Sequence, residues 1–281
     1  MQDRSAKLRE FFARYAASEG GARDPRIEQA FATVRREAFA GPGPWLIADS
    51  GGGYVKTPDD DPAYLYQNTL VAIDAGRRIN IGEPVLHARC LAALAPSEGE
   101  TVLHIGAGVG YYTALLAHLV GPAGKVHAYE IASDIAARAR ENLAHLRWVN
   151  VEARSGIADD LPKADAVYVN AGITQPSWAW LDALRPGGRL LFPLQGVGEF
   201  GAILLIKRPK RGMIWPAKFV TGAAFIPCIG PQDETVGRRL TEAFSQGAWR
   251  QVRSFRIDNP TDDTCWFAGD GWWLSMVALD E

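Results

Sequence analysis

Val102-Leu103-His104-Ile105-Gly106-Ala107-Gly108-Val109-Gly110 is the stretch that decides the fold. An apolar run feeds a glycine-rich turn, and the helix-patterned YYTALLAHLV (111–120) follows at once and stops at Gly121. Glycine is needed where the backbone takes positive φ or lies close against a ligand. The spacing of these glycines is informative. A dinucleotide fingerprint, GxGxxG, would put its last glycine at position 111. Here that position is Tyr111 and the third glycine is Gly110, which gives GxGxG. This spacing suits a nucleoside cofactor with no pyrophosphate to seat on the helix, and S-adenosylmethionine is such a molecule. Beyond it Glu130 ends the next strand, where an acid accepts hydrogen bonds from both ribose hydroxyls. Any tight strand-to-helix turn can be glycine-rich. The turn, the helix and the acid together point to a nucleoside cofactor.

Outward from the turn, strands and helices alternate. KVHAYEI (125–131) reads as a strand, and SDIAARARENLAHL (133–146) as a helix with Ser133 as its N-cap. VNVEARSG (149–156) and ADAVYVNAG (164–172) read as strands, and WAWLDAL (178–184) as a short helix closed by Pro186-Gly187-Gly188. RLLFPL (189–194) and AILLIKR (202–208) are close enough to form a hairpin. Repeated βαβ units imply an α/β, Rossmann-like fold: a mostly parallel sheet with helices on both faces. The antiparallel edge hairpin places it among the class I methyltransferase folds. Upstream, residues 5–18, 24–38 and 84–95 read as helices, and the Gly, Pro and Asp-rich 41–63 as one long loop. Downstream, 232–247 reads as a helix and 265–279 as a hairpin around Gly269–Gly271. The expected organisation is an N-terminal helical and substrate-loop segment (1–96), a cofactor-binding domain (97–231) and a folded C-terminal extension (232–281).

Composition removes several classes. A chain of 281 residues with a formal net charge of −2 has no global pull toward nucleic acid or anionic membrane. No apolar run approaches a bilayer span, so no membrane partner is expected. The three cysteines form no CxxC pair, and the first twenty residues lack the apolar core of a signal peptide. Both point to the cytoplasm. The five histidines show no metal spacing, so no metal is expected, and His104 reads as a core histidine. The basic Lys207–Arg211 stretch reads as a solvated tip with no interleaved aromatic platform for RNA. The sequence leaves the oligomeric state open.

Several of these segments resemble the protein-L-isoaspartate O-methyltransferase family. VLHIGAGVGYYTALLAHLV resembles its first motif, with GYYTA where GYQTA is usual. GKVHAYEIASDIAARARENLAHL, LRPGGRLLFPL and the upstream DPRIEQAFATVRREAF match further family segments, and FIPCIG (225–230) resembles its last strand. The resemblance runs from about residue 24 to 231, and the last fifty residues have no counterpart. It implies an S-adenosylmethionine-dependent enzyme that methylates a carboxylate of a protein or peptide. Cofactor contacts are implied at Ile81, His87, Gly106, Ala107, Gly108, Gly110, Glu130, Ile131, Ile157 and Asn170. Two departures stand out. The family's substrate loop carries a serine where this chain has Asn80-Ile81-Gly82-Glu83-Pro84, with Gly82 at the serine position. Its Gly-Asp-Gly becomes Gly156-Ile157-Ala158, unless Asp159 or Asp160 stands in for the carboxylate that meets the adenine edge.

Gly82 and Glu83 are therefore the candidate reaction-side residues. A carboxylate nucleophile is ionised well above its pKa of about 4 and needs no base. An amine or hydroxyl usually does. Glu83 would repel the first and could serve the second, or it simply begins the next helix as a first-turn acid. Tyr64, Tyr66, Gln67 and Asn68 either line a substrate cleft or pack, and Trp178 and Trp180 read as packing residues. Two alternatives remain open at this point. One is methylation of a hydroxyl or amine on a small molecule or nucleic acid. The other is a cofactor-binding protein without catalysis.

Overall fold

The computed structural model describes residues 4–197, 200–229, 232–258 and 261–278. They group into two compact units: Met1–Glu100 with Gly106–Arg154, and Thr101–Ile105 with Ser155–Glu281. In chain order, α1 (Arg4–Glu19), α2 (Pro25–Thr33), α3 (Arg36–Ala40), β1 (Leu46–Ala48), β2 (Tyr54–Lys56), β3 (Val71–Asp74), β4 (Ile79–Ile81) and α4 (Pro84–Leu94) lie in the first unit. The strand β5 (Thr101–Ile105) belongs to the second. The chain then returns to the first with α5 (Tyr111–Val120), β6 (Lys125–Tyr129), α6 (Ser133–Leu143) and β7 (Val149–Glu152). The second unit continues with β8 (Ala164–Val169), α7 (Trp178–Ala183), β9 (Leu184–Gln195), β10 (Gly201–Lys207), β11 (Ile214–Ala223), α8 (Glu234–Gln246), β12 (Ser254–Arg256), β13 (Cys265–Gly269) and β14 (Trp272–Ser275).

In the first unit the expected helix over 24–38 is two helices. It starts as the sequence indicates: the Asp24 carboxylate accepts from the Arg26 N–H at 2.9 Å, with Pro25 next. It stops because Val34 and Arg35 turn extended, with ψ of 114° and 109°. The break lets the fully buried Arg36 side chain reach loop carbonyls. Its guanidinium donates to the carbonyls of Leu65 (2.6 Å), Gln67 (3.1 Å), Thr69 (2.7 Å) and Gly82 (3.1 Å). The long loop expected over 41–63 is also partly ordered. The strands β2-β1-β3-β4 form an antiparallel sheet, with Leu46 opposite Lys56 and Val71 opposite Ile81. Their three- and four-residue lengths are too short for a periodic signal. Ser133 is the first residue of α6, and Ala132 holds the cap position. The strands β6 and β7 pair in parallel, and α5 is buried along nearly its whole length.

In the second unit β8 pairs in parallel with β5 on one side and β9 on the other. The expected β9–β10 hairpin is present, with Phe192 opposite Leu204. It is not the edge. The strand β11, which has no counterpart in the sequence reading, pairs with β10, and β12, β14 and β13 follow in that order. Residues Gly201–Ile206 are buried without alternation, which marks a strand covered on both faces. The C-terminal extension thus folds onto its own unit. Phe244 of α8, Trp266 of β13 and Trp249 meet Phe219 of β11 edge-on, with ring centroids 5.4–5.7 Å from it. The FIPCIG segment is not a strand. Only Pro227 makes a bridge, to Gly172, and Gly230 lies outside the described residues.

Candidate functional site

The first unit gathers the glycine turn and the acid into one constellation. Gly106, Gly108 and Gly110 all have positive φ, at 73°, 55° and 93°. The N–H groups of Gly106 and Ala107 both donate to the Tyr129 carbonyl at the end of β6, at 2.9 and 3.1 Å. The 8%-exposed Glu130 carboxylate accepts from the Gly108 N–H at 2.8 Å and from the Ala132 N–H at 3.0 Å. Each of its oxygens keeps a further lone pair for a ligand hydroxyl. The glycines have different reasons. A Cβ on Gly110 would lie 2.7 Å from Leu143 Cδ1, so this glycine lets α6 approach. A Cβ on Gly108 would meet nothing within 4 Å, so open space lies over the turn. A turn open on its ligand side, beside a fixed carboxylate with spare acceptor capacity, fits a nucleoside ribose. Ile131, next in the chain, is 43% exposed.

The substrate-loop residues form a second cluster in the same unit. Ile81 is buried at the end of β4. Glu83 takes the N-cap position of α4 with φ −68° and makes no side-chain capping bond. The α4 start is tied down by the Val85 N–H donating to Asn68 Oδ1 at 2.9 Å. His87, 2% exposed, stacks on Tyr112 with centroids 3.4 Å apart and planes at 11°. Tyr112 donates its hydroxyl to the Gly82 carbonyl at 2.7 Å, the same carbonyl that Arg36 holds. Burial raises the Tyr112 pKa well above the ordinary tyrosine value, so the phenol stays a donor. The glycine at 82 opens no pocket. A Cβ there would fall on the His87 imidazole, far inside contact distance of Nε2 and 2.9 Å from Cδ2.

The remaining candidates have structural partners of their own. Tyr66 is a packing and anchoring residue: its hydroxyl bonds the Glu37 carboxylate and receives the Arg9 guanidinium at 3.3 Å. Burial, first, and the Glu37 bond, second, push its pKa up. Gln67 donates to the Ala63 carbonyl at 3.3 Å, and Tyr64 closes a short 3-10 turn over Pro62–Tyr64. In the second unit, Ile157 donates its N–H to Ser155 Oγ at 3.1 Å, while Asp159 and Asp160 are exposed. Asn170 follows β8, with its Nδ2 2.8 Å from His104 Nε2. His104 is fully buried, and burial pulls its pKa down to about 3. Trp180 is buried and donates to the Gly156 carbonyl at 2.7 Å, as a packing residue should. Trp178 departs from that expectation, at 47% exposed. Arg36 and Tyr112 escaped the sequence reading as site residues. Arg36 sat inside an apparently continuous helix, whereas the tyrosine of GYYTA was a signal that could have been followed.

Among the described residues no group of three or more His, Cys, Asp or Glu could hold a metal ion. Among the described residues no helix is long and apolar enough to cross a membrane.

The family model described as protein-L-isoaspartate(D-aspartate) O-methyltransferase matches residues 53–233. A protein-L-isoaspartate O-methyltransferase of Methanopyrus kandleri is 30% identical over 231 residues, covering 80% of this chain and 93% of that one. One of Aeropyrum pernix is 31% identical over 183 residues, covering 63% and 68%. Two solved structures share the fold. A protein-L-isoaspartate O-methyltransferase superposes with a TM-score of 0.63 at 21% identity, over 86% of this chain and 69% of that one. A Plasmodium falciparum protein described as a putative member, in complex with S-adenosyl-L-homocysteine, gives 0.61 at 17% identity, over 78% and 97%.

Proposed function

Since the chain belongs to the protein-L-isoaspartate O-methyltransferase family of S-adenosylmethionine-dependent enzymes, we propose that it methylates a carboxylate of a protein or peptide. The observation that carries this reading is the Glu130 carboxylate fixed on the Gly108 amide beside an open glycine turn. Glu130 would hold the ribose hydroxyls, and Gly106–Gly110 would let the backbone lie against the cofactor. Bound there, S-adenosylmethionine supplies an electrophilic methyl group to an oxygen that is already ionised, so no general base is required. The chain's own task is to position the acceptor and exclude water, and Gly82, Glu83 and His87 edge the place where it would do so. Ile81 and Ile131 are further proposed cofactor contacts, and Ile157 and Asn170 are proposed as such on the family resemblance alone. Glu83 takes the N-cap position of α4, just before its first turn and not in it, where the helix dipole still favours an acid. We place the protein in the cytoplasm, a reading supported by the absence of any disulfide joining Cys90, Cys228 and Cys265.

Two measurements test this. Calorimetry should show S-adenosylhomocysteine binding and no comparable binding of NAD. Labelled cofactor should leave a base-labile methyl group on a protein or peptide. A base-stable product would point instead to an amine or hydroxyl acceptor. Tight cofactor binding with no turnover on any extract would point to a non-catalytic protein. Turnover of a standard isoaspartyl peptide should be weak, since the family's serine is Gly82 here. Losing one oriented donor at a reacting centre costs on the order of a hundredfold in rate. Robust turnover of that peptide would overturn this part of the reading.

A further inference from the structure

We infer that Arg77, at the tip of the β3–β4 hairpin, is a positioning residue: its two-pronged ion pair with Asp134 ties the strand that leads into Gly82 and Glu83 to the helix that begins just after Glu130. This rests on the methyl-transfer reading above, and all of these residues lie in the first unit. The hairpin has two ends. One is β4, which runs from Ile79 to Ile81 and straight into Gly82 and Glu83. The other is the turn over residues 75–78, closed by the Arg78 N–H donating to the Ala75 carbonyl at 3.2 Å. Arg78 takes φ 59° there, a left-handed conformation uncommon outside glycine. Asp74 fixes Arg77 from its own strand. One carboxylate oxygen accepts from the Arg77 N–H at 3.0 Å, and the other accepts from Nε at 2.7 Å. Both terminal nitrogens are then free of the hairpin and reach Asp134. Nη1 donates to Oδ1 at 2.9 Å and Nη2 to Oδ2 at 2.5 Å. A planar guanidinium matches two carboxylate oxygens in this way, and an ammonium does not.

Asp134 lies in the first turn of α6, and the Ala132 N–H at its cap donates to Glu130. Residues 130–134 thus carry both the proposed ribose acceptor and the anchor of the reaction-side strand. A cofactor that settles Glu130 and Ile131 settles Asp134 as well, and through Arg77 it settles the hairpin. The guanidinium holds the Asp134 carboxyl down to about 2, so the pair stays ionic at neutral pH. The two side chains are 45% and 60% exposed, so salt screens the pair and its strength is modest. A modest tether closes on the bound cofactor and releases when the product leaves.

The test is a double-mutant cycle on Arg77→Met and Asp134→Asn in the full chain, read in two ways. Hydrogen exchange of the amides at 75–81 is measured with and without S-adenosylhomocysteine. The ligand should slow exchange there about two- to fivefold in the wild type, the range that an exposed pair supports, and should leave it unchanged in Arg77→Met. Because coupling is reciprocal, Arg77→Met should bind S-adenosylhomocysteine more weakly by no more than that factor. Methyl transfer is then measured on the acceptor found by labelling. Each single variant should lose about two- to fivefold in kcat, the double variant should lose no more than either, and Arg77→Lys should recover part of the loss. A merely structural role would lower the thermal midpoint and leave the ligand-dependent protection in place. Protection of the hairpin that is absent in the wild type, or equal in the wild type and Arg77→Met, would overturn the tether. So would losses in kcat that multiply in the double variant. Failure of the underlying function shows elsewhere, as wild-type protein that binds S-adenosylhomocysteine and esterifies no peptide. The exchange measurement judges the tether independently of that outcome.

Discussion

Glu130 and His104 are buried ionisable groups with opposite consequences. The Glu130 carboxylate faces two backbone N–H donors and the proposed ribose position. Glu130→Ala should weaken S-adenosylhomocysteine binding by about 1–3 kcal/mol, the usual worth of hydrogen bonds to a charged acceptor, as calorimetry would show. His104 lies in β5 with its ring stacked on Tyr168 and its pKa drawn down to about 3 by burial. The unfolded chain binds a proton there near pH 6.5 and the folded one does not. Folding is therefore unopposed by this group above pH 6.5. It loses about 1.4 kcal/mol per pH unit as the pH falls from there toward 3. His104→Gln should flatten that part of a stability-versus-pH curve measured by urea unfolding. An unchanged slope between pH 6 and 4 would show that another group is responsible.

At the level of elements, the break between α2 and α3 is the feature with most resting on it. It brings the Arg36 guanidinium among four loop carbonyls, with Phe12 and Tyr111 rings about its Cζ at 6.0 and 5.9 Å. Arg36→Met should keep much of the volume and leave those carbonyls without their donor. A loss of about 2–4 kcal/mol in urea unfolding is expected, together with weaker methyl transfer, because the Gly82 carbonyl loses one of its two donors. Arg36→Lys should recover only part of this, since an ammonium cannot fork to carbonyls on both sides. In the second unit, Leu240 of α8 is fully buried, and Leu240→Ala should cost about 2–5 kcal/mol. Thermal unfolding would read that effect directly.

For the molecule as a whole, the βαβ succession and the cofactor constellation were legible because each has a local signal. Periodicity marked α4, α5, α6 and β6 through β10, and the glycine spacing with Glu130 marked the turn. What escaped lacked such a signal. The strands β1 to β4 are too short for alternation, and β11 carries a proline, Pro216, that argues against a central strand. Pro216 is accepted there because the β10–β11 register ends at Ala217, and the bond toward β12 is made by the Ala217 N–H, which donates to the Arg253 carbonyl. The stacking of His87 on Tyr112 is a tertiary contact between residues far apart in sequence, which no spacing can reveal. The tryptophans of the extension, Trp249, Trp266, Trp272 and Trp273, mark it as a folded segment and carry no signal of its role. Its strand β12 pairs with β11, and Phe255 of β12 and Trp266 of β13 lie against Trp215 and Phe219 of β11. Removing residues 232–281 should therefore yield an aggregating, dye-binding protein and not a trimmed soluble core. Limited proteolysis of the whole chain should leave the segment in place.

Shared volume at position 82 also orders the routes open to sequence drift. A glycine codon becomes a serine codon by one base change, yet that change here puts an atom into an imidazole. A side chain at position 82 of this chain needs the His87 ring to leave Tyr112 or to be replaced, so a variant that restores the serine is expected to need a second change at 87 or 112 to keep its stability.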